Sequence, residues 1–115
     1  MKYLLLMYAS ESMFPPPEEI QADVPAWHAL LQETKEAGVL ISTNGLAPGT
    51  NATTVRIREG RTMLTDGPFA ETHEQLGGYF LLDCKDLDEA IRWAEKIPTV
   101  KYGSIEVRPL WSPGS

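Results

Sequence analysis

Hydrophobic and polar positions along this chain follow three different rhythms. From Lys2 to Tyr8 both alternating faces are apolar, Tyr3, Leu5 and Met7 on one side and Leu4, Leu6 and Tyr8 on the other, which is the pattern of a central strand covered from two sides. Pro15, Pro16 and Pro17 each lack a backbone N–H and fix φ, so neither strand nor helix is expected there, and a surface loop is predicted to follow. From Asp23 the period lengthens: Val24, Trp27, Leu31 and Thr34, with Leu30 beside them, form one apolar stripe. Asp23 is placed to cap this helix, Pro25 fits its first turn, and Gly38 supplies a C-terminal stop.

Val39 to Ile41 offers a short strand, and the rest of the stretch to Asn51, with Gly45, Pro48 and Gly49, reads as loop. Thr53 to Arg58 alternates Val55 and Ile57 against Thr54, Arg56 and Arg58, and Glu59-Gly60 joins it to Arg61–Thr65; this predicts a hairpin with one wet face. Asp66, Gly67 and Pro68 break the strand. A second strand that is apolar on both faces runs from Tyr79 to Cys84 after Gly77-Gly78. Asp86 and Glu89 are spaced as a capping box for a helix to about Ile97, with Leu87, Ala90, Ile91 and Ala94 inward and Pro98 as its stop. Ser104 to Leu110 alternates once more as the last strand.

The order is β-α-β-β-α-β with an added hairpin strand. This predicts a single α+β domain over residues 1–115, ferredoxin-like, with two helices on one face of an antiparallel sheet. Two helices cover only one face, yet both central strands are apolar on two. A second copy packed sheet to sheet about a two-fold axis is the economical cover, so a homodimer is expected.

Charge narrows the functions. The 115 residues carry a formal net charge of −6, the wrong sign for direct binding to a nucleic-acid backbone. Arg56, Arg58 and Arg61 cluster on the predicted hairpin, where an anionic small ligand is an alternative to a solvated strand face. Cys84 is the single cysteine, so no internal disulfide forms, and a cytoplasmic setting with a buried thiol is expected. The apolar run before Ser10 and Glu11 is too brief for a signal peptide or a membrane span.

The segments TDGPFAETHEQLGGYFLLDCKDLDEAIRWAEKIP, from Thr65 to Pro98, and YGSIEVRPL, from Tyr102 to Leu110, resemble the YCII-related family, specifically its DGPF-domain branch. The AGVL and NGL segments after the first helix agree. The resemblance implies a dimeric α+β barrel of ferredoxin-like subunits, reached independently by the burial argument. It also implies a cleft with a histidine and an aspartate, and an association with sigma factors.

His28, in a PAWH segment similar to the proline-and-histidine helix start of YCII proteins, is the first candidate; imidazole chemistry suits it to acid or base work, while packing or plain exposure is the alternative. Asp66 is the second, aimed from a strand end by the Gly67-Pro68 turn, or else bonding the backbone of that turn. Tyr8, Phe69, Glu71 and Tyr79 are read as ligand-binding residues of an apolar pocket, with core packing as the alternative for the aromatic ones. His73 lacks the second histidine or cysteine that a metal shell needs, so no metal is expected, and no phosphate loop or nucleophile motif calls for a cofactor. The leading expectation is a cofactor-free small-molecule enzyme in which His28 and Asp66 act as a pair. The alternatives are a ligand-binding or regulatory dimer beside a sigma factor, and, by analogy with the barrel alone, an oxygenase or isomerase.

Overall fold

Strands that are apolar on both sides belong in the middle of a sheet, and the chain puts them there. The structure, a computed structural model, describes residues 1–68 and 73–111. In chain order the elements are β1 (Lys2–Ala9), α1 (Pro17–Ala22), α2 (Val24–Glu36), β2 (Leu40–Gly45), β3 (Thr53–Arg58), β4 (Arg61–Asp66), β5 (Gln75–Asp83), α3 (Leu87–Ala94) and β6 (Ser104–Pro109). The main sheet has the order β2-β5-β1-β6, every neighbouring pair antiparallel, and among the described residues β3 pairs only with β4.

Register assigns the two faces. Leu5 stands opposite Phe80 on one side and Val107 on the other, so these three share a face. That face, with Tyr3, Met7 and Leu82, packs against Leu30 of α2 and Ala90 and Ala94 of α3, and Val39, Cys84 and Ile97 complete the core. Each large side chain fully buried here contributes about 1.5–3 kcal/mol. On the opposite face Leu6 faces Tyr79 and Leu4 faces Leu81, and all four stay half-buried.

Local chemistry explains the element ends. Asp86 Oδ1 accepts from the Glu89 N–H at 2.9 Å, and Glu89 Oε1 reaches back to the Lys85 N–H at 2.8 Å, a capping box displaced by one residue. Gly38, with φ of 72°, closes α2 in the left-handed region. Glu59 and Gly60, both at positive φ, make the tight turn of the β3–β4 hairpin. The buried Thr34 hydroxyl donates to the Leu30 carbonyl oxygen at 2.9 Å, so burying it leaves no orphaned donor.

Five local expectations change. Pro17 opens a short helix where a loop was expected, because the first helical position needs no N–H and Glu18 and Glu19 favour the positive end of the dipole. Asp23 makes no side-chain cap; its carboxylate accepts from Lys101 Nζ at 2.6 Å instead. β2 runs on to Gly45, held by pairing with β5, and α3 ends at Ala94, after which the chain tightens before Pro98. The apolar face of the hairpin is the exposed one, with Val55 61 %, Ile57 64 % and Leu64 68 % exposed, while Thr54 and Arg56 on the other face are half-buried. No helix among the described residues is long and apolar enough to cross a membrane.

Cys84 is buried, and desolvation pushes its thiol up to about 11, with the Glu89 carboxylate adding to the effect. A folded-state value raised above the ordinary 9.0 favours the neutral thiol. The stability this gives is complete below the unfolded value and is lost as pH climbs through the folded one. In urea unfolding, the advantage of the parent chain over Cys84→Ala should therefore narrow between pH 9 and about pH 11. An advantage that stays constant across that window would show the thiol to be unshifted.

Candidate functional site

At the end of the sheet where β2 stops and β5 begins, a cleft of about 740 Å³ opens beside α2. Ligand sites commonly have this volume. Helical spacing gives α2 one wall, since Trp27 and Leu31 are four residues apart and His28 is next to the first. Met7 and Ala9 of β1, Phe80 of β5, and Phe14 and Tyr102 from flanking turns add apolar lining. The rings of Phe14 and Tyr102 meet edge to face with centroids 5.8 Å apart, a favourable aromatic geometry. Glu11, Thr43, Gln75 and Thr99 bring polar groups.

Two close approaches hold the walls in place. A Cβ on Gly103 would stand 2.2 Å from the Tyr8 carbonyl oxygen and 3.1 Å from Ala9 Cβ, so only glycine lets the turn that carries Thr99 and Tyr102 close onto β1. On the far rim, the Leu46 N–H donates to the Gly77 carbonyl oxygen at 2.9 Å, and a Cβ on Gly49 would lie 2.9 Å from Gln75 Oε1 and 3.4 Å from Pro68 Cγ. The Lys101–Asp23 pair joins the Tyr102 turn to the start of α2. Its lysine is mostly exposed, so it orients more than it stabilises.

His28, on α2, lines the cleft. Asp66 closes β4 opposite Thr53 and is absent from the lining; its turn meets the rim through Pro68, and no hydrogen bond or ion pair joins Asp66 to His28 among the described residues. Tyr79 lies on the open face of the sheet, where Asn44 Nδ2 donates to its hydroxyl at 3.0 Å and Ser42 Oγ lies 2.9 Å away. These bonds, the one from Ser42 first, lower the phenol below its ordinary 10.0. Tyr8 lines a separate, shallow depression with Ser10, His73, Glu74 and Glu106. Phe69 and Glu71 lie outside the described residues. Of the lining residues the sequence singled out only His28 as a site; Phe14, Trp27, Thr99, Tyr102 and Glu11 are among those it missed, and the adjacency of Trp27 to His28 is the one local signal that could have drawn attention to any of them.

The chain matches the family model described as the YCII-related domain over residues 1–112. A protein of Rhizobium meliloti (strain 1021), whose printed name calls it uncharacterized, is 41 % identical over 120 residues, a match covering 99 % of this chain and 97 % of that protein.

Gly103→Ala should lower stability by on the order of 1–3 kcal/mol, the usual cost of overpacking, because backbone stands on the other side of the contact. Urea unfolding measures the loss. Unchanged stability would mean that the turn can stand away from β1 at no cost.

Proposed function

Because the chain belongs to the YCII-related family, we propose that it is a homodimeric small-molecule-binding protein whose ligand site is the cleft around Trp27 and His28. One observation carries this reading: a large concavity walled by aromatic side chains has a single imidazole in its lining. The TDGPF segment assigns the chain to the DGPF branch in this reading, and the strand order β2-β5-β1-β6 supports a ferredoxin-like subunit. Neither a metal nor an organic cofactor enters it, and the lone buried Cys84 accords with a cytoplasmic setting.

The open sheet face supports the dimer. Leu4, Leu6, Tyr79 and Leu81 form its apolar centre, flanked by the Glu106–Arg108 pair and by the Ser42 and Asn44 bonds to Tyr79. A second sheet across this face would bury that centre and close a two-sheet barrel. Proton transfer by His28 and Asp66 is the second reading, favoured by the approach of Pro68, two residues beyond Asp66, to Gly49 on the cleft rim.

Sedimentation at low micromolar concentration should give a species of twice the 12.8 kDa chain mass. Leu6→Glu or Leu81→Glu should shift it to the monomer. A parent chain that sediments only as monomer refutes the dimer.

A thermal-shift screen of small aromatic compounds tests the site. Compounds that raise the melting temperature should lose that effect in Trp27→Ala and keep it in Asp66→Asn. Turnover of a bound compound that needs both His28 and Asp66 would put the catalytic reading first.

A further inference from the structure

The permanent charge of the cleft is one-sided, while its polar lining offers both donors, such as the Trp27 indole N–H and the Asn44 amide, and acceptors. No lysine or arginine belongs to its lining, and the segments outside the described residues, 69–72 and 112–115, contain none in their sequence. Among the described residues one carboxylate lines it, that of Glu11, and this side chain makes no hydrogen bond or ion pair with any other of them. Thr43 has already committed its hydroxyl hydrogen to the Tyr79 carbonyl oxygen at 2.9 Å, so it can offer a ligand only lone pairs. Around these acceptors stand the rings of Phe14, Trp27, Phe80 and Tyr102. Aromatic faces attract cations through their quadrupoles, and a carboxylate strengthens that preference, whereas an anionic ligand in such a site would lose hydration and find no lysine or arginine to replace it, only the His28 imidazole.

Resting on the cleft reading above, we propose that the ligand is a small organic cation, an aromatic or similarly sized apolar body carrying an amine, with its ammonium group taken by the Glu11 carboxylate among the aromatic rings. The chemistry recognised is an N–H donor with positive charge on an apolar stem. It differs from the anion that the Arg56, Arg58 and Arg61 cluster would suit, and those arginines are not part of the lining.

Three probes of nearly equal size separate the terms: benzylamine, benzyl alcohol and benzoate. Their binding to the full chain is followed by the indole N–H resonance of Trp27, assigned as the signal lost in Trp27→Phe. Benzylamine should bind at least about tenfold more tightly than benzoate, a gap of roughly 1.4 kcal/mol, with benzyl alcohol between them. Glu11→Gln, at an exposed position, should remove most of the advantage of benzylamine over benzyl alcohol while leaving the alcohol unchanged. Benzoate binding as tightly as benzylamine, or an amine preference that survives Glu11→Gln, overturns the cation proposal and leaves the cleft as the ligand site. Failure of all three probes to move the Trp27 resonance overturns the cleft reading itself, and the proposal falls with it.

Discussion

Everything in this fold follows from a mismatch between sheet and helix. β1 and β5 carry large apolar side chains on both faces, and α2 and α3 reach only one of them. On the covered face Leu5 and Leu82 are almost free of solvent, while Leu6 and Leu81, their neighbours in sequence, remain half-buried. A strand cannot relieve this by slipping, because a shift of one residue would exchange the two faces and expose Leu5 and Phe80 instead. The demand for cover on the open side is therefore fixed by the covered side, and the proposed dimer is an answer to it.

The cleft arises from the same shortage of covering elements, at the end of the sheet. α2 begins close to that end, so its first turns present Trp27 at the margin of the packed core with the exposed His28 beside it, and Leu30 and Thr34 are buried further along. Tight backbone approaches at Gly103 and Gly49 then bring the 98–103 turn and the 46–49 loop in as walls. The rim is made of turns on a rigid frame, an arrangement that places binding residues accurately while leaving them accessible.

What the sequence disclosed and what it hid follow from the range of the interactions involved. The two-sided strands, the stripe of α2, the capping box at Asp86 and the Glu59-Gly60 turn are local patterns, and each was legible. The extension of β2 to Gly45 was not, because Ser42, Asn44 and Gly45 have weak strand preference, and Ser42, Thr43 and Asn44 are held by Tyr79, thirty-five to thirty-seven positions away. Nor could the hairpin's solvation be read from Val55 and Ile57, since alternation reports which residues share a face and not whether anything packs on it. The site was the least legible part. Its lining comes from separate segments in which Trp27 and Leu31 look like core and Gly45, Pro48 and Gly49 look like punctuation, and only His28 stood out on chemical type.

The residues that hold β2 to β5 also connect the two surfaces. Thr43 and Asn44 line the cleft, and both bond Tyr79, whose ring belongs to the open face that a second sheet would cover. Covering that face would remove water from around the Tyr79 hydroxyl and leave Ser42 and Asn44 as its fixed partners, which makes those bonds harder to exchange. The strand that carries them is an edge strand, paired on one side only, so its position depends on these side-chain bonds more than that of a central strand would. The proposed dimerisation would thus act on the cleft by fixing the edge strand that forms one wall.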